Sequence, residues 1–192
     1  EGAKITAQLL ETTDAMEVVN EILIPALDSA GKLFEQGKIF LPQLIQTASV
    51  AQAAFEVIKT TLIERNAAPV SRGEIVLATV KGDIHDIGKN IVRVLLENYG
   101  YTVLDLGRDV PCQLVADTAK EHGVKLVGLS ALMTTTLGAM EETIQLVKQS
   151  CPDCKIVVGG AVLTADYAEK IGADFYAKDA METVAVAKEV VG

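Results

Sequence analysis

With 192 residues the chain is long enough to bury a sizeable core and to divide into two small domains. Hydrophobic residues make up 49% and aromatics only 4%, with no Trp, which points to an aliphatic core. A net charge of -9, no run of membrane-span length and no signal-peptide pattern argue against nucleic-acid and membrane partners, so a cytoplasmic protein is expected. The chain opens at Glu1 without Met and passes almost directly into helix, which reads as a piece of a longer polypeptide.

From Glu1 to about Asn66 the apolar residues fall at helical spacing and nothing alternates as a strand would. Ile5, Leu9 and Leu10, then Met16, Val19, Ile22, Leu23 and Leu27, then Leu44, Ile45, Ala48, Ala51, Phe55, Ile58 and Leu62 mark the buried faces. Asp14 is a candidate N-cap with Glu17 three residues on, and Gly31, Gly37 and Pro42 punctuate the interior. The pattern predicts an antiparallel bundle of about four helices over residues 1–66. Its joint, Phe34 to Pro42, carries large apolar residues where a turn is normally polar. From periodicity alone Phe34, Ile39, Phe40 and Leu41 close the bundle's own core; the sharper reading is a hydrophobic lid.

Residues 67–73, Ala-Ala-Pro-Val-Ser-Arg-Gly, break the pattern and are the expected linker. After them, over residues 74–192, short β-branched runs alternate with amphipathic ones. Strands are expected at Glu74 to Val80, Thr102 to Leu106, Leu126 to Ser130, Ile156 to Gly159 and near Phe175. Helices are expected at Gly88 to Tyr99, Pro111 to His122, Leu137 to Gln149, Thr164 to Ile171 and Ala180 to Val191. Strict βα alternation implies an α/β domain with a five-stranded parallel sheet, flavodoxin-like or Rossmann-like, in the order 2-1-3-4-5. The switch point then lies between the first and third strands, and the loops after them frame the ligand.

Those loops are Lys81 to Asn90, polar and glycine-punctuated, and Ser130 to Thr136. Neither is a phosphate loop: there is no Gly-x-Gly-x-x-Gly after the first strand and no Gly-x-x-x-x-Gly-Lys-Ser/Thr in the chain. The first loop offers instead a lone imidazole, His85, two residues from Asp83. A metal-binding His usually gives its second ring N–H to a carboxylate, a role open to Asp83. Asp83 could in turn accept from a hydroxyl of Ser130, Thr134, Thr135 or Thr136. One imidazole cannot hold a free metal ion, so a metal here would bring its other ligands with it, as a macrocycle does. The three cysteines fit a reducing compartment, and Cys151-Pro-Asp-Cys154 lies after a helix and before a strand, the setting of a surface turn rather than of an activated thiolate.

At these residues a family comes into view. Asp83-x-His85-x-x-Gly88, Ser130-x-Leu132 and Gly159-Gly160 resemble the three-part signature of cobalamin-binding domains. The run Val80 to Val92, with Asp105-Leu-Gly107 after it, is similar to the methyltransferase branch: the cobalamin module of methionine synthase and its stand-alone corrinoid-protein relatives. The stretch Phe34 to Pro42 resembles that branch's helical cap, and Leu23 to Gln43 looks more like the methionine synthase type.

The resemblance implies that His85 is the lower axial cobalt ligand, with Asp83 as its partner and Thr136 standing where the methionine synthase pattern has a serine. It implies that Gly82, Ile84, Asp86, Gly88, Ser130, Leu132, Thr134, Gly159, Gly160 and Ala180 line the corrin or its nucleotide tail. It places Phe34 and Leu41 as an apolar cover over the methyl-bearing face, which must move away for transfer. The cofactor implied is methylcobalamin, carrying a methyl group from a donor such as methyltetrahydrofolate to a thiol such as homocysteine in methionine biosynthesis. Folate- and homocysteine-binding modules or subunits and a reductive-activation partner are implied with it. The alternatives are a stand-alone corrinoid protein for methylamines, methanol or methoxylated aromatics, and a cobalamin-based sensor. A receiver-type signalling domain would leave His85 and the lid without a use, and a mutase would not need the cap.

Overall fold

The computed structural model describes residues 2–64 and 71–192. Residues 67–70 of the expected linker lie outside the described residues, whereas 71–73 lie within them. Two compact units are present, residues 1–71 with 97–100, and residues 72–96 with 101–192.

The first unit is helical: α1 (Gly2–Leu9), α2 (Ala15–Glu17), a π-wound turn (Val18–Leu23), α3 (Ile24–Glu35) and α4 (Leu41–Glu64). Asp14 caps as its position suggested, its carboxylate accepting the Glu17 amide at 3.4 Å. From Ala15 to Glu35 the helix is unbroken although Pro25 lies inside it. Pro25 has no N–H to give to the preceding turn, and the backbone ahead of it is wound in wider i→i+5 bonds, with the Ile24 amide donating to Val19 O. Leu10, Ala15, Val18, Val19 and Ile58 form the buried centre, with Leu9, Leu23, Phe55 and Leu62 packed on it.

Helix α3 ends in a Schellman turn, with Gly37 left-handed at φ 68°, the Gly37 amide on Phe34 O at 2.9 Å and the Lys38 amide on Leu33 O at 2.8 Å. Gln43 then reaches back to cap the start of α4, accepting the Phe40 amide at 2.9 Å. Bundle closure does not account for the apolar joint between them. Phe40 is 67% exposed, Leu41 is also exposed, and Phe34 is only half-buried.

The second unit is a five-stranded sheet, all parallel, in the order β2-β1-β3-β4-β5. Its strands are β1 (Glu74–Thr79), β2 (Thr102–Asp105), β3 (Leu126–Ser130), β4 (Lys155–Gly159) and β5 (Phe175–Tyr176). The helices between and after them are α5 (Ile87–Asn98), α6 (Cys112–His122), α7 (Leu137–Ser150), α8 (Ala165–Lys170) and α9 (Ala180–Val190). This is the α/β architecture and strand order read from the sequence, with a helical cap region ahead of it. Ile75 to Ala78 and Leu126 to Leu129 are buried on both faces, which is why these strands read as unbroken apolar runs. Val76, Val127, Met140, Ile144, Val147 and Ile156 sit at the centre of the core, each buried aliphatic contributing about 1.5–3 kcal/mol. The chain leaves β1 toward β2 and then reverses toward β3, so right-handed crossovers set α6 and α7 side by side on one face.

Two strands stop earlier than their sequence suggested. β2 ends at Asp105 rather than Leu106 because the Asp105 carboxylate accepts the Gly107 amide at 2.9 Å and turns the chain out of the sheet. β1 ends at Thr79, and Val80 forms only an isolated bridge to Val110.

All three cysteines are free. The Cys151–Cys154 segment is a turn closed by the Cys154 amide on Cys151 O at 3.0 Å. Burial, reinforced by neighbouring Cys151 and Asp174, pushes the Cys154 thiol up to about 12, the opposite of an activated thiolate. Among the described residues no helix is long and apolar enough to cross a membrane.

Candidate functional site

The site is built where the strand order reverses. Thr79 and Ser130, the last residues of β1 and β3, stand opposite each other in the register, and the loops leaving both strands meet beyond them. Asp83 joins these loops, and its side chain is fully buried. One carboxylate oxygen accepts the His85 amide at 3.0 Å and His85 Nδ1 at 2.9 Å. The other accepts the amides of Leu132 and Met133, at 2.7 and 3.2 Å, and lies 3.1 Å from the Thr136 hydroxyl. Thr136 comes from a single 3-10 turn (Thr134–Thr136) that leads into α7, and its hydroxyl also lies 2.8 Å from Met133 O, so one proton serves two acceptors. Burial opposes charge on Asp83, but the bonds from the His85, Leu132 and Met133 amides and the His85 ring outweigh it. They hold the carboxyl well below the usual carboxylate range.

An ionised carboxylate can only accept, so His85 Nδ1 must carry the ring proton and Nε2 is left with its lone pair. No described residue hydrogen-bonds to Nε2, and the His85 side chain is 44% exposed. Among the described residues no cluster of three or more His, Cys, Asp or Glu side chains could hold a metal ion, so His85 offers a single nitrogen and nothing more.

A third loop braces this one, and its residues carry no recognisable motif. Asp109, after β2, is a non-glycine residue in the left-handed region at φ 53°. Its carboxylate accepts the Gly82 amide at 2.7 Å while its own amide donates to Asp83 O at 2.9 Å, so the Gly82–Asp83 segment is gripped from both ends. Behind it, the buried Lys89 ammonium of α5 donates to Asp105 at 2.5 Å and to Asn90 at 3.2 Å, fixing the start of α5 to the end of β2. Thr79 and Asp109 were missed by sequence reasoning, and Lys89 and Asp105, though inside the stretches that carry the resemblance, were given no role there. The one hint was a threonine ending an otherwise apolar strand.

The remaining expected residues lie in several parts of the fold. Ile84 and Leu132 are exposed on the two loops, as is Ile87, 79% exposed. Asp86 starts α5, its carbonyl accepting the Asn90 amide at 2.8 Å. A Cβ on Gly88 would meet nothing within 4 Å, so the first turn of α5 opens onto free space. Gly160 has a different constraint: at φ 136° its Cβ would stand 1.9 Å from Ala131 O, so glycine there is required by the chain's own β3 loop. At Gly159 a Cβ would come within 3.0 Å of Ala177 O. Ser130 is half-buried with its hydroxyl 2.8 Å from that of Thr79, and Thr134 is exposed. Ala180 is the first residue of α9, and no hydrogen bond ties it to the Asp83 cluster. Phe34 and Leu41 belong to the helical unit.

Residues 73–185 match the B12 binding domain family, and residues 3–59 match a second family of the same description. The chain belongs to the cobalamin-binding corrinoid protein family. It binds cobalamin. The chain is 43% identical over 180 residues to dimethylamine corrinoid protein 1 of Methanosarcina acetivorans, covering 93% of this chain and 84% of that one. With trimethylamine corrinoid protein 1 of Methanosarcina mazei it shares 38% over 190 residues, 97% of this chain and 88% of that one.

Among solved structures, a cobalamin-binding protein from Desulfitobacterium hafniense superposes with a TM-score of 0.72 at 33% identity, covering 99% of this chain and 98% of that one. The methanol:cobalamin methyltransferase complex from Methanosarcina barkeri superposes at 0.81 with 27% identity, covering 98% and 77%. These relatives correct the narrower expectation of a methionine synthase module, and with it the expectation of folate and homocysteine modules. The resemblance read from the Asp-x-His-x-x-Gly loop is common to both branches, so that loop could not separate them.

The corrinoid protein's own residues suit the cofactor. A single imidazole with a free lone pair matches a metal that arrives with its other ligands, apolar Ile84, Ile87 and Leu132 are exposed on or beside the same loops, and a Cβ on Gly88 would meet nothing within 4 Å.

Proposed function

We propose that this protein is the methyl-carrying corrinoid component of a methyltransferase system of the methylamine or methanol type, with His85 as the lower axial ligand to cobalt. When bound, cobalamin supplies a cobalt centre that carries the methyl group between donor and acceptor. Asp83 orients the His85 ring and keeps its proton on Nδ1, so that Nε2 is presented as a base. Thr136 completes the relay through its hydroxyl contact to Asp83. Ser130, Thr134, Gly159, Gly160, Ala180, Gly82, Asp86 and Gly88 would hold the nucleotide tail, and Ile84 and Leu132 would give the corrin ring an apolar seat. Phe34 and Leu41 are assigned to an apolar cover that excludes water from the reactive face. The exposure of Leu41 and the partial exposure of Phe34 in the helical unit support this use of an otherwise costly surface.

The proposed division is a cap over residues 1–66, a linker over 67–73 and a cobalamin-binding domain over 74–192. The partners are a substrate-specific methyltransferase subunit and a reductive-activation protein, and the compartment is the cytoplasm. The observation that carries the reading is the Asp83-fixed imidazole with its free Nε2. Identities of 38–43% over nearly the whole length favour methylamine or methanol as the methyl source over methyltetrahydrofolate.

The test is reconstitution with cobalamin beside His85→Ala. In the Co(II) state the wild type is expected to show hyperfine coupling from one histidine nitrogen by electron paramagnetic resonance, and the variant none. Equal spectra would remove His85 from the cobalt. Methylation of the loaded protein by a methylamine-specific methyltransferase, set against one specific for methyltetrahydrofolate, separates the two methyl sources.

A further inference from the structure

We propose that Thr79 is a positioning residue that fixes the direction of the Ser130 hydroxyl, so that Ser130 meets the nucleotide tail of the cofactor as a hydrogen-bond donor. The inference rests on the reading that Ser130 borders that tail. Thr79 closes β1, is 0% exposed, and is the one polar side chain after four buried apolar residues, Ile75 to Ala78. Its Oγ1 lies 2.8 Å from Ser130 Oγ across the β1–β3 register. Neither hydroxyl has another hydrogen-bond partner among the described residues.

Two hydroxyls sharing one contact have one proton between them, and burial decides whose it is. If Ser130 donated, the Thr79 proton would be stranded in a dry core, the more costly omission; a buried oxygen with an unused lone pair is better tolerated. Thr79 therefore donates, Ser130 Oγ accepts, and the Ser130 proton is turned outward. Ser130 is half-buried at the carboxyl edge of the sheet, where a ligand can reach it. The complementary group on the ligand is an acceptor, such as a carbonyl or phosphate oxygen or an unprotonated ring nitrogen, and a donor at that point is rejected. A valine at position 79 would keep the β-branched shape and lose only this polarity.

The experiment is an absorbance titration of the whole chain with cobalamin and, in parallel, with cobinamide, which has the corrin but no nucleotide tail. Thr79→Val is expected to weaken cobalamin binding about five- to tenfold and to leave cobinamide unchanged, with Thr79→Ser restoring the wild-type value. Thr79→Ala removes the same donor with no added bulk and should repeat the loss if the valine variant does not fold. In a Ser130→Ala background the Thr79 substitution should cost nothing further. Wild-type affinity in both Thr79 variants, with Ser130→Ala impaired, overturns the inference alone. Equal losses for cobalamin and cobinamide reduce Thr79 to a packing residue and also overturn it. Full cobalamin affinity in Ser130→Ala overturns the underlying reading that Ser130 borders the tail.

Discussion

Replacing Asp83 by asparagine should move a proton on a neighbouring ring. The carboxylate receives the His85 amide and ring N–H on one oxygen and the Leu132 and Met133 amides, with the Thr136 hydroxyl, on the other. Asparagine has one oxygen and one NH2 to set against these donors. With the NH2 toward Leu132 and Met133 it faces two fixed backbone amides. Turned the other way it faces only the His85 amide, because the imidazole can shift its proton to Nε2 and accept at Nδ1.

Each buried amide left without an acceptor costs about 1–3 kcal/mol, so one orphan is preferred to two by that margin. The protein should lose about 2–4 kcal/mol once the weakening of charge-assisted bonds is added. It should also lose the Nε2 lone pair. Long-range 15N NMR of the cofactor-free protein, with labelled histidine and at a pH where the ring is neutral, reads the tautomer directly. The wild type should show the Nδ1–H form and Asp83→Asn the Nε2–H form, and the variant should show no histidine coupling to cobalt when loaded. An Nδ1–H ring in a variant with the wild-type unfolding midpoint would refute the reasoning.

Other consequences follow from the same geometry. Because the folded Asp83 carboxyl is depressed, its contribution to stability is complete above the unfolded value of about 3.9 and is lost as pH falls through the lower folded value. Denaturant midpoints should therefore fall below about pH 4, and the fall should be shallower in Asp83→Asn; parallel curves would exclude this carboxyl as the cause. Gly160→Ala places a methyl group 1.9 Å from Ala131 O and should cost about 3–5 kcal/mol in thermal or denaturant unfolding. Gly88→Ala meets nothing within 4 Å, so it should gain about 0.5–1 kcal/mol in helix stability while weakening cobalamin in an absorbance titration. Asp109→Ala gives up both the acceptor for Gly82 and the tolerance of a left-handed backbone. It should lose about 1–2 kcal/mol and speed hydrogen exchange at the Gly82 amide, whereas Asp109→Asn should do neither.

The parts of the molecule governed by periodicity were readable in the chain. Apolar runs ending at Ser130 and Gly159, and helical spacing from Leu137 onward, gave strands and helices within a residue or two of β3, β4 and α7, and βα alternation gave the sheet order. The Asp83–His85 pair was readable because the two lie close in sequence, whereas Thr136 was one of four candidate hydroxyls and was singled out only by the family resemblance.

Contacts between segments distant in sequence were not readable. Nothing in Gly107-Arg108-Asp109 shows that Asp109 will grip Gly82, and nothing local shows that Thr79 will face Ser130. Lys89 lay in the polar loop with no role assigned to it, yet it is buried against Asp105 because α5 begins beside the end of β2. The π-wound turn ahead of Pro25 escaped for a related reason: the apolar spacing stays helical while the hydrogen bonds change partner. The branch of the family was not readable from the Asp83–His85–Gly88 loop, and the relatives found, methylamine and methanol corrinoid proteins, match the alternative reading better than the methionine synthase one.

The Asp83 carboxylate is held by amides 49 and 50 residues further along the chain. Before β1 and β3 have zipped together those amides are elsewhere, and the imidazole is free to take either tautomer and any direction. The His85 ring is thus fixed late, only when the central pair of the sheet is complete. A copy in which β1 and β3 have not paired therefore presents no fixed imidazole, whatever the local sequence around His85.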